Sequence, residues 1–360
     1  MDHIFKTGMA ALTVALCVSA QAASNGIAVS ISTEKSTLGK ADDVIVNVTL
    51  TNTSPAPQAV LQWHTPFGGE IEEPLFNIRR DGVKVPYLGP RYKRPAPTPA
   101  DYYLLEPGAS RSARVELSAL YDMSVTGDYT IQYDTSSLNL FSAGLARRGV
   151  VPREIGELTS QPLTLFIDGR RPRGSPAQEA PAVDAVRGTA RGLTFSKCSA
   201  SQQGQVTTAL TAGRAMADDG DKSLAASKLL GPRYTEWFGV SDPARLSTVR
   251  ANFAALKDGF ATKPIALDCS CNKPYFAYVY PNKPYMIYLC KAFWPAPMSG
   301  TDSKGGTLLH ELSHFTVVAG TDDWVYGQEG AASLAISDPA KAVNNADSHE
   351  YFGENTPALE

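Results

Sequence analysis

Residues 305–328 read GGTLLHELSHFTVVAGTDDWVYGQ and place two histidines, a glutamate and two adjacent aspartates within one short stretch. His310 and His314 are four residues apart, which on an α-helix puts both imidazoles on one face, about one turn apart. Such a pair can bind a single metal ion, and zinc in particular accepts imidazole and carboxylate ligands. Glu311 points in a neighbouring direction, where its carboxylate can reach a water at the metal without being a ligand.

A third ligand has to come from the chain that follows the two histidines. We expect residues 301–320 to form a helix that ends at Gly320, because glycine ends helices and allows the chain to reverse. The residues TDDWVYG then return past the imidazoles, which makes Asp322 and Asp323 the candidate ligands. Apart from Glu329, slightly further on, this segment offers no other histidine or glutamate at a suitable distance. Without such a carboxylate, the histidine pair alone would also fit two ordinary helical residues.

Composition sets the class of protein before any other motif is considered. The chain has 360 residues, which is enough for two domains with their own cores. A hydrophobic fraction of 43% with 19% charged residues is normal for a globular protein. The net charge of −3 gives no reason to expect nucleic acid or an anionic membrane as a partner.

The N-terminus resembles a processing signal. Lys6 precedes the small and apolar run GMAALTVALCVSA, and AQA at 20–22 offers a cleavage site. This run is shorter than the about 20 apolar residues that a membrane-spanning helix needs, and no other stretch approaches that length. We therefore predict that residues 1–23 are a signal peptide and that the protein is secreted, through the periplasm in a Gram-negative host.

Export suggests a role for the cysteines. Four remain after the predicted signal, and in an oxidising compartment an even number favours two disulfides. Three pairings are conceivable, although Cys269 and Cys271 are too close in sequence to bond comfortably to each other. A zinc site built from the cysteines is the weaker alternative, because the usual paired C-x₂-C spacing is absent.

The two halves of the chain differ in their patterns. Residues 24–167 alternate polar and apolar residues between turn-forming breaks, which predicts an all-β, immunoglobulin-like sandwich with His64 as a packing or surface residue. Residues 168–192 contain five arginines, three prolines and no aromatic residue, so we expect an exposed linker. Such a linker suits proteolytic activation, although a plain tether would have the same composition.

Residues 193–360 are predicted to form a mostly helical α+β domain of the zincin type. Helices are expected over 199–219, 221–231 and 242–261, the last with Asp242 as its N-cap. The aromatic runs YFAYVYPN and YMIYLC predict a β-hairpin before the histidine-bearing helix.

HELSH followed by GTDDWVYG resembles the aspzincin metalloendopeptidases, the deuterolysin and peptidyl-Lys metalloendopeptidase family. In that family the third zinc ligand is an aspartate in a G-T-x-D-x-x-Y-G segment. The resemblance therefore implies one zinc ion held by His310, His314 and Asp323, with Tyr326 as the tyrosine of the segment. Asp322 falls on the variable position, which implies a solvated group or one that lies behind the ligands.

The resemblance to the peptidyl-Lys branch extends over roughly residues 195–358, through segments such as PRYTEWFG, FAYVYPN, YLCKAFWPAP and NADSHEYFGENTP. It implies the disulfides Cys198–Cys269 and Cys271–Cys290. It also implies an acidic pocket for lysine formed by Asp347 and Glu350, which lie three residues apart and so share a helical face.

His349, between the two pocket residues, is left out of the site. Two solvated helix carboxylates are the plainer interpretation of Asp347 and Glu350. The N-terminal half resembles the pro-regions of secreted bacterial aspzincins.

These expectations amount to a secreted zinc endopeptidase that cuts on the N-terminal side of lysine and is made as an inactive precursor. Glu311 would act as the general base and Tyr326 would donate to the developing oxyanion. The expected partners are protein or peptide substrates and the chain's own pro-domain, with a monomer as the oligomeric state. The alternatives are an aspzincin of broad or Lys/Arg specificity and an exported, non-catalytic binding protein that contains zinc.

Overall fold

The computed structural model describes residues 25–141, 154–169, 192–226 and 231–359. The predicted signal peptide and residues 170–191 of the predicted linker lie outside these ranges. Within them, none of the helices is both long and apolar enough to cross a membrane.

The described N-terminal half is built from β-strands, as the alternating pattern predicted. Along β3, for example, every second residue is buried and the others are partly exposed, which is the signature of a strand with one face on a core. The strands are β1 (Ile27–Ser32), β2 (Thr37–Leu38), β3 (Ile45–Asn52), β4 (Gln58–Leu61), β5 (Phe76–Arg80), β6 (Val83–Lys84), β7 (Arg91–Lys93), β8 (Tyr102–Leu105), β9 (Ser110–Glu116), β10 (Gly127–Ser137), β11 (Gly156–Thr159) and β12 (Leu163–Ile167).

Two of the sheets in this half share one apolar core. One has the order β1-β3-β9, and the other has the order β2-β12-β10-β5-β6 with β11 paired to β10. Val29 and Val48 from the first sheet and Ile78 and Ile131 from the second belong to the same buried cluster. The two sheets therefore form layers over a common core, and β4 and β8 make a separate two-stranded sheet.

The C-terminal half is mostly helical, with a small sheet. Its elements are β13 (Thr194–Ser196), α1 (Ala200–Ala226), α2 (Pro232–Phe238), α3 (Pro243–Thr262), β14 (Ala266–Asp268), β15 (Ala277–Val279), β16 (Met286–Leu289), α4 (Lys304–His314), α5 (Gln328–Ser337), α6 (Pro339–Ala342) and α7 (Ala346–Glu354). Asp242 caps α3 as predicted, with its carboxylate accepting from the backbone of Ala244 and Arg245. The hairpin of β15 and β16 is also confirmed.

Two helix predictions are wrong. The break predicted between 219 and 221 is absent, because α1 runs unbroken through Gly220 as far as Ala226. A Cβ at Gly220 would lie 2.5 Å from the ring of Phe253, so this glycine allows helices to pack closely and does not end one. The second error concerns α4, which ends at His314 and not at Gly320. Phe315 is extended there because its ring packs in the core beside Tyr285, and Gly320 then takes its positive φ in the following turns.

The C-terminal sheet contains one strand from the other half of the chain. Its order is β13-β14-β16-β15-β7, so β7 is paired antiparallel to β15, with Tyr92 opposite Tyr278. The sequence pattern did not predict this pairing. It places residues 91–93 against the half that carries the histidines.

Two disulfides fasten the C-terminal half. Cys198 is bonded to Cys269, which joins the start of α1 to the end of β14. Cys271 is bonded to Cys290, which closes the segment that contains β15 and β16. The pairing is the one that the resemblance implied.

Candidate active site

Three buried side chains converge at the end of α4. His310 and His314 extend from the same face of the helix, and Asp323 follows the turn that contains Gly320. The two Nε2 atoms lie 3.1 Å apart, and each is 3.3 Å from a carboxylate oxygen of Asp323. Ligands arranged tetrahedrally at about 2.0–2.1 Å from zinc lie roughly 3.3 Å from one another. The spacing therefore fits a zinc ion at the centre of the three.

The contacts of the two rings at Nδ1 leave both Nε2 atoms available to bind a metal. His314 Nδ1 lies 2.8 Å from the carbonyl oxygen of Thr321, which can only accept, so Nδ1 carries the proton. His310 Nδ1 lies 2.8 Å from Asp347 Oδ1, a close contact at an angle outside ordinary hydrogen-bond geometry. Partners at Nδ1 are the usual means by which proteins orient metal-binding imidazoles.

Charge at this point favours a cation. Both carboxylate oxygens of Asp323 are buried and have no hydrogen bond. Burial acts to lower the pKa of His310, but contacts with three carboxylates, from Asp323, Asp347 and Glu350, outweigh it and raise that pKa well above its usual value. A divalent cation at this site would supply the positive charge that the three carboxylates otherwise obtain from a protonated His310. The donor set thus fits zinc in both geometry and charge.

The loop that carries Asp323 is held from two directions. Asn345 Oδ1 accepts from the backbone N–H groups of Trp324, at 2.9 Å, and Val325, at 3.3 Å. The hydroxyl of Ser313 lies 2.6 Å from that of Thr321, which ties α4 to the start of the loop. These bonds fix the position of the carboxylate relative to the helix.

Asp322 lies outside the ligand set. It forms an ion pair with Arg91 of β7, and one of its oxygens accepts from Asn344 Nδ2 at 3.1 Å. Glu329 is exposed in the first turn of α5. Two groups of described residues have a geometry that could hold a metal ion, His310–His314–Asp323 and His310–Asp347–Glu350, and Glu329 belongs to neither.

Glu311 is completely buried beside the histidines. Burial raises the pKa of its carboxyl group to about 8, against the opposing charge of His310. Neither carboxylate oxygen has a hydrogen bond, although the backbone amide of Lys93 faces the group closely enough to lower its pKa. A buried, unpartnered carboxyl group of this kind is a typical candidate for proton transfer.

Tyr326 is also buried, and its hydroxyl group faces the same segment of β7. The hydroxyl donates to the carbonyl oxygen of Tyr92 at 2.7 Å, and Glu73 Oε1 lies 3.3 Å away. The Tyr326 side chain therefore holds a peptide carbonyl from the N-terminal half.

Asp347 and Glu350 lie on one face of α7 with the ammonium group of Lys93 between them. Lys93 Nζ is 3.2 Å from Asp347 Oδ1 and 2.6 Å from Glu350 Oε2, and all three side chains are fully buried. Burial acts to raise the pKa of Asp347, but Lys93 and His310 outweigh it and lower that pKa. The two carboxylates are thus not solvated surface groups, and they form a pocket that contains a lysine side chain.

Sequence reasoning missed Lys93 and Tyr92. They belong to the segment RYKR at 91–94, which reads as a short basic run in a β-rich half and carries no catalytic motif. It also missed that Asp347 contacts His310. Among the described residues, the two other histidines are structural: His349 contacts Asn345 and Asn252, and His64 lies 2.7 Å from the hydroxyl group of Thr135.

A cavity of about 430 Å³ between the two halves reaches the proposed metal ligands. Its walls include His314 and Asp323 on one side and His64, Glu73 and Tyr87 on the other. This space lies next to the ligand cluster, whereas the lysine pocket is filled by Lys93.

Comparison with known proteins gives consistent matches. A family profile described as lysine-specific metallo-endopeptidase matches residues 223–354. A protein of Aeromonas hydrophila named extracellular protease is 44% identical over 321 residues, covering 89% of this chain and 90% of that protein. A peptidyl-Lys metalloendopeptidase of Grifola frondosa is 37% identical over 278 residues, covering 77% and 76% respectively. A solved zinc peptidase from Grifola frondosa is 45% identical, covers 45% of this chain and 100% of that chain, and has a TM-score of 0.44.

Proposed function

The chain belongs to the aspzincin family of zinc metalloendopeptidases, and on that premise we propose that it is secreted as an inactive precursor and cuts peptide bonds on the N-terminal side of lysine. The observation that carries the lysine preference is the buried carboxylate pair of Asp347 and Glu350 next to the metal ligands, with an ammonium group between them. Two carboxylates in a buried pocket favour a cationic side chain and disfavour an apolar one, which would leave their charges unpaired.

The proposed mechanism assigns one role to each group. When bound by His310, His314 and Asp323, zinc supplies Lewis-acid chemistry, which activates water and polarises the scissile carbonyl. Glu311 takes a proton from the attacking water and delivers it to the leaving amine. Tyr326 donates a hydrogen bond to the carbonyl oxygen as negative charge develops there.

The specificity pocket acts by position as well as by charge. A lysine ammonium group between Asp347 and Glu350 fixes the register of the substrate, so that the peptide bond before that lysine lies between Glu311 and Tyr326. Holding the bond in this position removes most of the entropic cost of orienting the substrate during reaction. This saving is a large part of the rate gain of an enzyme.

The N-terminal half is assigned as the pro-domain. In this proposal residues 1–23 are the signal peptide, 24–167 an immunoglobulin-like pro-domain, 168–192 a linker that is cut on activation, and 193–360 the catalytic domain. The sheet orders β1-β3-β9 and β12-β10-β5 support an immunoglobulin-like arrangement, because they correspond to strands A, B, E and G, F, C of that fold. The mature enzyme is proposed to act as a monomer on proteins or peptides, without nucleic acid or membrane partners.

A cleavage map tests the proposal. Zinc-loaded enzyme, nicked in the linker, is incubated with a denatured protein mixture, and the new termini are identified by mass spectrometry. We expect cuts before lysine, and in Glu311→Gln a loss of rate of about 10²- to 10⁴-fold, the range for removal of a general base. Glu329→Gln, at an exposed glutamate, is the matched control and should keep the activity. Cuts without lysine preference would contradict the assigned pocket, and the absence of any Glu311-dependent cut would contradict the proposed mechanism.

A further inference from the structure

We propose that residues 91–94 of the pro-domain are a pseudosubstrate, in which Lys93 fills the lysine pocket and the Tyr92–Lys93 peptide bond occupies the place of the bond to be cut. The precursor is then closed by a lysine of its own chain. The inference rests on the proposed function, because it uses the roles assigned there to Asp347, Glu350, Glu311 and Tyr326.

The first support is the occupancy of the pocket. Besides Asp347 and Glu350, Asp302 Oδ1 lies 3.4 Å from Lys93 Nζ, so three carboxylates surround one ammonium group. Lysine is almost never fully buried unless it is paired, and Lys93 has no exposed side-chain surface. A substrate lysine would need the same position, so it has no access to the pocket while Lys93 is in place.

The second support is the position of the peptide bond. The carbonyl oxygen of Tyr92 accepts from Tyr326 at 2.7 Å, and β7, which carries the bond, packs against α4, which carries Glu311. In the proposed mechanism Tyr326 binds the carbonyl oxygen of the scissile bond, and Glu311 serves the nitrogen that leaves. The carbonyl end of this peptide bond therefore meets the group that a substrate carbonyl would meet, which a lysine buried only for stability would not require.

The third support is the backbone of the segment. Residues 91–93 extend the C-terminal sheet at β15, and the N–H of Phe276 donates to the carbonyl oxygen of Lys93 at 3.0 Å. Addition of a strand to a sheet edge is a common way for proteins to bind extended peptides, with side-chain pockets giving the specificity. The segment is thus bound as an extended peptide would be.

Residues on both sides of the bond are fixed. Arg91 pairs with Asp322 beside the proposed ligand Asp323. Arg94 pairs with Glu72 and Glu73 of its own half. Its guanidinium also lies 4.2 Å from the ring centre of Tyr275, in the other half. An extended segment that is held in its bound form before binding loses little entropy on docking, and this favours occupancy of the cleft.

The test measures access to the pocket without catalysis. Full-length, zinc-loaded protein carrying Glu311→Gln is titrated with a short fluorescent peptide that contains one internal lysine, and with a peptide that has leucine at that position. Lys93→Gln, which keeps most of the side-chain length, and Lys93→Ala are compared with the parent. Lys40→Ala, at an exposed lysine of the same half, is the control.

We expect both Lys93 variants to bind the lysine peptide at least about tenfold more tightly than the parent. The reason is that the apparent affinity depends on the fraction of molecules whose pocket is open to the peptide. The parent and Lys40→Ala should bind it weakly, and the leucine peptide should show no gain. If either Lys93 variant retains a cooperative thermal transition yet binds the lysine peptide no better than the parent, the pseudosubstrate is ruled out.

The outcome separates this inference from the proposed function. In one outcome, the linker-nicked chain with Glu311 intact cuts before lysine, but the Lys93 variants bind the lysine peptide no more tightly than the parent. This outcome would overturn the pseudosubstrate alone. A gain in lysine-peptide binding, combined with no Glu311-dependent cutting of proteins, would overturn the proposed peptidase mechanism and keep the occlusion by Lys93.

Discussion

Asp347 connects the proposed metal site with the lysine pocket. Its Oδ1 lies 2.8 Å from His310 Nδ1 and 3.2 Å from Lys93 Nζ, while its Oδ2 accepts from the backbone N–H of Gly327 at 2.7 Å. Glu350 is nearer to the lysine, at 2.6 Å, than to His310, at 3.3 Å. The two carboxylates of the pocket therefore differ in their second partner, and their substitutions should differ in effect.

We expect Asp347→Asn to weaken zinc binding by about 10- to 100-fold, the usual effect of removing a group that orients a metal ligand, and to reduce lysine preference as well. Glu350→Gln should reduce lysine preference with a much smaller change in zinc affinity. Zinc affinity is measured by competition with a chelator, and preference by the ratio of kcat/KM for matched lysine and leucine peptides. Equal losses of zinc affinity in the two variants would contradict the distinction.

Glu354 gives the molecule a dependence of stability on pH. Burial raises the pKa of its carboxyl group to about 8, with Glu350 adding to the shift, although Ser303 donates to it from its backbone and its hydroxyl group. Because this pKa is higher in the folded protein than in the unfolded chain, the stabilisation is complete below the unfolded pKa of 4.5 and is lost as the pH rises towards 8.

We expect Glu354→Gln to become more stable relative to the parent as the pH rises from 5 to 8, by up to about 1.4 kcal/mol per pH unit for one proton. Denaturation midpoints at several pH values, measured with Glu311→Gln present to prevent self-digestion, give the difference in the free energy of unfolding. Glu236→Gln, at an exposed glutamate, is measured in parallel as the control. If the difference in the free energy of unfolding between Glu354→Gln and the parent does not change with pH, the shifted pKa of Glu354 is contradicted.

The residues of the site differ in how far the sequence reveals them. His310, Glu311 and His314 could be predicted because their relation is local: four residues on a helix determine which side chains share a face. Asp323 and Tyr326 needed a family resemblance, since a turn of irregular length separates them from the helix. Lys93 reaches Asp347 across 254 positions, and no pattern in the sequence specifies a contact at that range.

At the scale of elements, the loop between α4 and α5 depends on a side chain from the start of α7. Asn345 is completely buried, and its Oδ1 accepts two backbone hydrogen bonds from the residues that directly follow Asp323. The sequence predicted the helix that bears the histidines but placed its end six residues too late, at Gly320. The actual end depends on the packing of Phe315, which is a tertiary effect and leaves no local signal.

We expect Asn345→Ala to lower the free energy of unfolding by about 1–3 kcal/mol, because it leaves buried N–H groups without an acceptor. The same change should weaken zinc binding, since the loop no longer holds Asp323 in place. Asn344→Ala is the matched control: its side chain is partly exposed and contacts Asp322, so its effect should be smaller. Thermal melting with and without zinc measures both effects, and equal behaviour of the two variants would argue against a role for Asn345 in positioning the loop.

At the scale of the whole molecule, the two halves close the lysine pocket but leave space beside the metal ligands. The cavity between them has His314 and Asp323 in its wall, whereas Lys93 is completely buried. Neither property was predictable from either half alone, because both arise from how β7 joins the sheet of the other half.

We therefore expect the uncut chain to take up zinc. One equivalent should bind to full-length Glu311→Gln protein without any cut in the linker, as measured by calorimetry or by metal analysis after gel filtration. His314→Ala in the same background should abolish this uptake. Zinc binding that appears only after the linker is cut would show that the halves also block the metal site.

In the proposed activation, the strand pairing of β7 with β15 also determines when activity can appear. While the linker is intact, the strand and its sheet belong to one chain, with an effective local concentration on the order of millimolar. A cut in the linker turns them into two molecules whose association follows mass action. A freshly cut, concentrated sample should thus remain largely closed, and its activity per molecule should rise as it is diluted. If the chain is secreted and cut as proposed, dispersal outside the cell then completes the activation that the cut begins.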